Sequence, residues 1–207
     1  MVFIKPKTSI LLATGNAAKI QEFSAMLSSR ALSVMSLAEF PKTLPEPPEE
    51  NGLDFLENAV LKARYYNQAT GLICLADDSG LCVSGLGDRP GVYSARFGGP
   101  GLSDRQRCLK LLDEAETLTD RRAFFQAALV LANGPQILVG SGRLDGLLSI
   151  KPKGTGGFGY DCLFIPLGFK RTLAELSPKT KNRISHRFKA LQALEKEISQ
   201  QPGFFSS

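Results

Sequence analysis

Leu72-Ile73-Cys74-Leu75-Ala76-Asp77-Asp78-Ser79-Gly80 joins five uncharged residues to two adjacent carboxylates, a serine and a glycine. The apolar five read as a buried strand that stops at Ala76. The carboxyl end of such a strand is where open α/β sheets place their ligands. Asp, Ser and Gly are also favoured turn residues, so the tetrapeptide reads equally as a turn closing the strand. As a site, a carboxylate beside a serine and a flexible glycine suits Mg²⁺, which takes one or two protein carboxylates and fills its other positions with water and phosphate oxygens. If the strand persists, Asp77 and Asp78 face opposite ways, and at most one points into a shared site.

Outward from this stretch the chain alternates strand and helix. Ser9-Ile10-Leu11-Leu12-Ala13 is a first strand, broken by Thr14-Gly15-Asn16. A helix follows from about Ala17, with Ile20, Phe23, Met26 and Leu27 on one face. Leu32 to Leu37 is a second strand. Pro41 to Pro48 carries four prolines, which lack a donor and restrict the preceding residue, so no regular element is expected there. A second helical stretch holds Phe55, Ala59, Leu61, Lys62, Ala63 and Tyr66. Val83 to Pro100 is glycine-rich and irregular, and Asp104 to Glu116 is helical with Cys108, Leu111 and Leu112 inward. Ala123 to Ala132 and Ile137 to Leu148 form two long strands joined through Asn133-Gly134-Pro135. Cys162 to Ile165 is a short strand. Lys181 to Ser199 is one helix with Ile184, Phe188, Leu191 and Leu194 on its apolar side. Alternation followed by antiparallel strands predicts an α/β fold with a mixed, twisted sheet flanked by helices.

Composition narrows the classes. At 207 residues, 43% hydrophobic and 22% charged, the chain is expected to be one soluble domain spanning residues 1–207. No apolar segment approaches membrane-spanning length, and the start through Lys7 has no signal-peptide core. The four cysteines show no close-spaced metal pair, and Cys74 and Cys162 sit in apolar runs, as buried thiols do in a reducing compartment. Cytoplasm is therefore the expected compartment. The net charge of +5 is uneven. Lys179, Lys181, Arg183, Arg187 and Lys189 form a basic cluster, and Glu46, Glu49, Glu50, Asp54 and Glu57 an acidic stretch. A basic cluster suits nucleic acid or a small polyanion alike.

Four constellations carry possible chemistry. Thr14-Gly15-Asn16-Ala17-Ala18-Lys19 lies at a strand-to-helix junction, where free backbone N–H groups and the positive dipole end suit phosphate. Thr14 or Asn16 acting as a plain N-cap explains the same residues. Gly154-Thr155-Gly156-Gly157-Phe158-Gly159 has dinucleotide-fingerprint spacing, but a strand rather than a helix is expected next, which rules out that cofactor site. What remains is an exposed Phe158 able to stack on a planar ring, in a loop with accessible amides. Ser185-His186-Arg187 contains the sole histidine and, with Lys181, reads as a donor-rich wall suited to a carbonyl oxygen, or else as a solvated basic helix start. Near Asn51, Glu50 could share a metal with Asp78, and Lys62 could reach phosphate, while Asp54 and Glu57 read as a solvated face.

Taken in order, these motifs resemble the inosine triphosphate pyrophosphatase family, in its bacterial dITP/XTP pyrophosphatase branch. The matching elements are Thr14 to Lys19 with Glu22, Glu50 to Ala63, Ala76 to Leu81, Pro90 to Arg96, Gly154 to Asp161, and Ser185 to Arg187. The resemblance implies an elongated fold with two lobes, an active-site cleft between them, and a homodimer. It implies Mg²⁺-dependent cleavage of ITP, dITP and XTP to the monophosphate and pyrophosphate. Carried onto this sequence, Asp78 is the proton acceptor and a metal ligand, and Glu50 a second metal contact. Thr14, Gly15, Asn16, Ala17, Ala18, Lys19 and Lys62 would hold the triphosphate. Ser79, Phe158, Gly159, Tyr160, Asp161, Lys181, His186 and Arg187 would hold the rest of the substrate, with Phe158 stacked on the purine. From strand alternation, Asp77→Asn is expected to cost much less turnover than Asp78→Asn if only one of the pair faces the site.

Rival readings are a pyrophosphatase for other modified nucleotides, a non-catalytic nucleotide sensor, and a nucleic-acid-binding module built on the basic cluster. The last predicts strongly salt-dependent binding, which the acidic Asp77-Asp78 pair would oppose. No stable nucleic-acid or membrane partner is expected.

Overall fold

The computed structural model describes residues 8–27 and 32–205. The stretch through Lys7, and Ser206 and Ser207, fall outside them. Seven strands form one sheet in the order β2-β1-β3-β5-β6-β7, with β4 added on β3. β1 (Thr8–Leu12) runs parallel to β2 (Leu32–Ser36) and to β3 (Cys74–Val83). β4 (Arg89–Pro90), β5 (Arg122–Asn133), β6 (Gln136–Leu148) and β7 (Phe164–Pro166) are all antiparallel to their neighbours. The sheet is therefore mixed, as the sequence predicts.

Helices cover both faces because alternate strand residues are apolar on both. On one face Ile10, Leu12, Leu75, Leu129 and Leu131 pack with Phe23 of α1 (Ala17–Leu27) and with Leu191 and Leu194 of α5 (His186–Gln200). On the other, Leu11, Cys74, Ala76 and Val130 pack under Phe55, Ala59, Ala63 and Tyr66 of α2 (Phe55–Thr70). A third cluster joins Leu81, Val83, Phe125 and Phe164 to Cys108 and Leu111 of α3 (Asp104–Glu114). Each large side chain fully buried in these layers contributes about 1.5–3 kcal/mol.

Three elements differ from their sequence reading. β3 does not stop at Ala76. It continues through Asp77-Asp78-Ser79-Gly80 to Val83, because β5 pairs with it residue by residue from Ala132 back to Ala123. A long partner that pairs with the whole length of β3 on one side overrides local turn preference. The C-terminal helix is broken. α4 (Pro178–Ile184) ends at Ser185, whose extended backbone and hydroxyl, accepting from Phe188 N–H, start α5 afresh. Finally, Cys162 and Leu163 lie in a turn, and the strand begins only at Phe164.

Two glycines fix where α5 lies. A Cβ at Gly140 or Gly142 on β6 would run into the backbone of Ala190 or His186. The bare backbone there lets the first turns of α5 rest directly on the sheet and sets the depth of His186 and Arg187.

Candidate active site on the two faces of one strand

Because β3 persists, Asp77 and Asp78 do face opposite ways, and each is buried. On the α2 face, Lys62 Nζ lies 3.0 Å from Asp78 Oδ1 and 3.1 Å from Glu50 Oε2, and also donates to the Asp77 carbonyl at 3.0 Å. Asn58 Nδ2 donates to Asp78 Oδ2 at 3.3 Å. Asn58 is itself held by Gly52 N–H at 2.8 Å, and Arg96 clasps the Glu50 carbonyl at 2.9 Å. Burial pushes the Asp78 carboxyl up to about 6, against the pull of Lys62. Burial alone would lower Lys62, but Asp78 and Glu50 outweigh it and raise the ammonium. Asp54 and Glu57 serve the helix start, accepting from Glu57 N–H and Leu53 N–H at 2.8 Å each.

The opposite face holds a chain of alternating charges. Asp77 Oδ2 lies 2.7 Å from Lys19 Nζ and 3.4 Å from Arg187 Nε, and accepts from Ser79 Oγ at 2.8 Å. Arg187 also reaches Glu22 at 3.1 Å and donates to Ser79 Oγ at 2.7 Å. Glu22 in turn meets Lys181 at 2.7 Å, and Lys181 pairs closely with Asp161, which accepts from Phe158 N–H at 2.9 Å. Three cations thus stand against three carboxylates. Burial would raise Asp77, but Lys19 and Arg187 hold it well below the usual carboxylate range. Burial lowers Lys19 despite Asp77, and burial raises Asp161 despite Lys181. Asp77 is thus the counter-charge of this face and not a member of the Lys62 cluster. It anchors two of the cleft's cations, 58 and 110 positions away in sequence.

A cleft of about 190 Å³ opens beside this chain, lined among others by Asn16, Lys19, Ser79, Phe158, His186 and Arg187. His186 is buried and stacked on Phe125 at 4.7 Å with the rings 8° from parallel, and neither ring nitrogen has a partner within the protein. Burial and the neighbouring Arg187 lower its pKa well below the ordinary value, so the ring is neutral and offers one donor and one acceptor. The basic cluster therefore splits. Lys181 and Arg187 are buried in the network, whereas Lys179, Arg183 and Lys189 face solvent. Phe158 is half-buried rather than exposed, its ring 4.8 Å from Lys181 Nζ and 5.1 Å from the Arg187 guanidinium carbon. Tyr160 is buried with its hydroxyl on the Ser94 carbonyl at 2.9 Å, and Gly159 N–H is fixed by Asp104 at 2.7 Å. No helix opens after the 154–159 loop, in keeping with the rejected dinucleotide site.

The loop after β1 supplies the third side. Asn16 Oδ1 caps α1, accepting from Ala18 and Lys19 N–H at 3.0 and 3.1 Å, and Thr14 Oγ1 accepts from Asn16 N–H. Gly15, Asn16 and Ala17 are exposed at the helix N-terminus, so capping and anion binding coexist there. β1 ends opposite Leu75, and β4 rejoins β3 only at Cys82. Between them, among the described residues, the β1-side edge of β3 has no partner strand. The loop adjoins this open edge, and its Lys19 reaches Asp77 on one face. Glu22, Asn58 and Asp104 have no site role in the sequence reading, although Glu22 and Asn58 fall within matching motifs. Their contacts bridge 165, 20 and 55 positions, and no local pattern announces them.

Sheet, anion-suited loop and paired carboxylates define a polyanion-binding α/β protein with a buried carboxylate of raised pKa at hand. A Ham1 family profile matches residues 10–197, and the chain belongs to that family. It is 43% identical over 190 residues to a dITP/XTP pyrophosphatase of Escherichia coli O157:H7, covering 89% of this chain and 95% of that one. Among solved structures, a HAM1 protein from Coxiella burnetii superposes with a TM-score of 0.84 at 37% identity, covering 93% of this chain and 99% of that one. A nucleoside-triphosphatase / dITP/XTP pyrophosphatase from Mycobacterium abscessus gives 0.73 at 40% identity, covering 90% and 98%.

Proposed function

We propose that this chain hydrolyses deaminated purine nucleoside triphosphates (ITP, dITP, XTP) to the monophosphate and pyrophosphate. The observation that carries the reading is the open edge of β3, with a cation-lined cleft on one face and a carboxylate–lysine cluster on the other. Its similarity to proteins named dITP/XTP pyrophosphatase supports dITP and XTP among these substrates. The phosphates would lie at the Thr14–Lys19 loop, held by exposed helix amides, Lys19 and Lys62. Asp78, ionised above about pH 6, accepts the proton of a water directed at the α-phosphorus. Asn58 holds one carboxylate oxygen and leaves the other toward Lys62.

Two hard oxygen donors converging on an ammonium suit Mg²⁺, whose remaining positions water and phosphate would fill. Bound at Glu50 and Asp78, the ion would neutralise charge on the phosphates and the departing pyrophosphate. In the cleft, Arg187 leaves two N–H groups uncommitted, and His186 leaves both nitrogens. The donor-only Arg187 favours a 6-oxo group over a 6-amine, His186 can donate to it as well, and Phe158 offers the stacking surface. The reading includes a homodimer and residence in the cytoplasm.

Release of pyrophosphate from dITP and from dATP, each with and without Mg²⁺, tests the proposal. Efficient, metal-dependent release from dITP with little from dATP is expected. Comparable rates for the two would overturn the substrate assignment.

A further inference from the structure

The 158–163 turn that carries Phe158 and Asp161 rests on α3 through the Gly159 N–H bond to Asp104 and through sulfur. Cys108, buried on α3, places its Sγ 3.6 Å from Cys162 Sγ and 3.3 Å from the Gly159 carbonyl. Cys162 is half-buried and directly follows Asp161. Both thiols line a second cavity of about 510 Å³, on the α3 side of the 154–159 loop, and separate from the nucleotide cleft in most of its walls. The sequence predicts a buried thiol at Cys162, and the structure leaves it partly accessible from this cavity. We propose that Cys108 and Cys162 form a peroxide-oxidisable thiol pair whose disulfide displaces the turn holding Phe158 and Asp161.

The chemistry is ordinary. A single S–H on Cys108 has the Gly159 carbonyl and Cys162 Sγ within reach, and when it donates to sulfur it favours the Cys162 thiolate. That hydrogen bond brings Cys162 down to about 7 against the opposing effect of burial. Cys162 attacks a hydroperoxide entering through the cavity. An S–O bond forms, the O–O bond breaks, sulfur is oxidised by two electrons, and the alkoxide or hydroxide leaves with the proton released by Cys162. Cys108 sulfur then attacks the sulfenic acid. The S–S bond forms, the S–O bond breaks, and hydroxide departs as water with the Cys108 proton. With hydrogen peroxide the products are the disulfide and two waters. Cys74 and Cys82 are internal controls, since burial in the sheet pushes their thiols up to about 11 and about 12.

The coupling to the nucleotide cleft is mechanical. A disulfide needs about 2.05 Å between sulfurs, so the pair must close by about 1.5 Å. Cys108 is fixed in a helix with a Ser103–Gln106 capping box, whereas Cys162 lies in a turn. The turn is therefore the side that moves. The Gly159 carbonyl loses its thiol donor, and Asp161, which holds Lys181 and Phe158 N–H, is drawn along.

This last consequence rests on the nucleotide-hydrolysing reading, but the thiol pair does not. The reduced protein is treated with stoichiometric hydrogen peroxide. Mass spectrometry reads the cross-link, amide exchange reads the 154–163 segment, and KM for dITP is measured before and after. The expected result is a loss of 2 Da in a Cys108–Cys162 cross-linked peptide, faster exchange in that segment, and KM raised several-fold, all reversed by dithiothreitol. Cys108→Ser should stop at a dimedone-trapped sulfenic acid on Cys162, and Cys162→Ser should leave Cys108 unmodified. Oxidation of Cys74 or Cys82 as fast as Cys162, or no cross-link, overturns the pair. A cross-link with unchanged exchange overturns the displacement. Inactivity of the reduced protein toward every nucleotide, with cross-link and exchange change present, supports the pair and sinks the pyrophosphatase reading instead.

Discussion

Asp77→Asn and Asp78→Asn change adjacent residues by the same atoms, and the structure predicts opposite effects on stability. Asp77 is fully buried and neutralises the buried Arg187 and the half-buried Lys19. Removing one member of such a pair leaves uncompensated charge and costs about 3–5 kcal/mol. For a chain of this size that is a fall in Tm of roughly 6–20 °C. Asp78 is the reverse case. Its carboxyl is raised to about 6 in the fold, so ionising it there works against folding, by on the order of 3 kcal/mol at most. Asp78→Asn should therefore fold at least as stably as the parent at neutral pH while turnover nearly vanishes. The pH windows also differ in sign. Asp77, with a depressed folded pKa, contributes stability that is full above about pH 4 and is lost as pH falls further. Asp78, with a raised one, costs stability progressively from about pH 4 up through about 6. Thermal denaturation of the three proteins from pH 3 to 8, alongside pyrophosphate release at pH 8, reads both. The Asp77→Asn deficit should shrink toward pH 3 and the Asp78→Asn advantage should appear only above pH 4. A Tm for Asp77→Asn within 2 °C of the parent at pH 7 would refute the counter-charge role.

Three further outcomes follow from the same geometry. Lys19→Ala should weaken nucleotide binding by tenfold or more, because a phosphate-contacting charge acts in ground and transition states alike; titration with a non-hydrolysable analogue checks it, and unchanged affinity would reduce Lys19 to a partner of Asp77. Arg187→Ala should lower the ratio of kcat/KM for ITP over ATP by about 10–100-fold, since an unmatched buried polar group costs about 1–3 kcal/mol; an unchanged ratio removes Arg187 from base selection. Gly142→Ala should push the start of α5 off β6, lowering Tm by several degrees and raising KM for dITP, whereas a parental Tm and KM would show that the helix accommodates the methyl.

Much of the architecture was legible because it is local. The period of Phe23, Met26 and Leu27 and the Asn133-Gly134-Pro135 turn between two long strands each announce their element, and β5 and β6 meet there as expected. What the sequence hid was decided by distant partners. Asp77-Asp78-Ser79-Gly80 has turn composition, yet a strand some fifty residues on keeps it extended. Ser185 looks like any helix residue until its hydroxyl is seen capping Phe188. The candidate site was legible as a set of residue types, but not as two faces. That Asp77 belongs with Lys19 and Arg187, and Asp78 with Lys62 and Glu50, follows from strand alternation only once β3 is known to continue. The alternating Gly140 and Gly142 were the overlooked signal for a helix lying directly on the sheet.

The unpartnered stretch of β3 between β1 and β4 has a cost of another kind. An unpaired strand edge is a template on which a second chain can add, and proteins usually blunt such edges with charge or with side-chain contacts. Here Lys62 covers the Asp77 carbonyl at 3.0 Å and Ser94 accepts from Leu81 N–H at 3.0 Å, closing the two ends of the gap and little between. The segment most open to intermolecular pairing is thus the one a nucleotide would occupy. Ligand-free protein should be the form that self-associates on storage or mild heating, and substrate analogues should act as solubilisers as well as inhibitors.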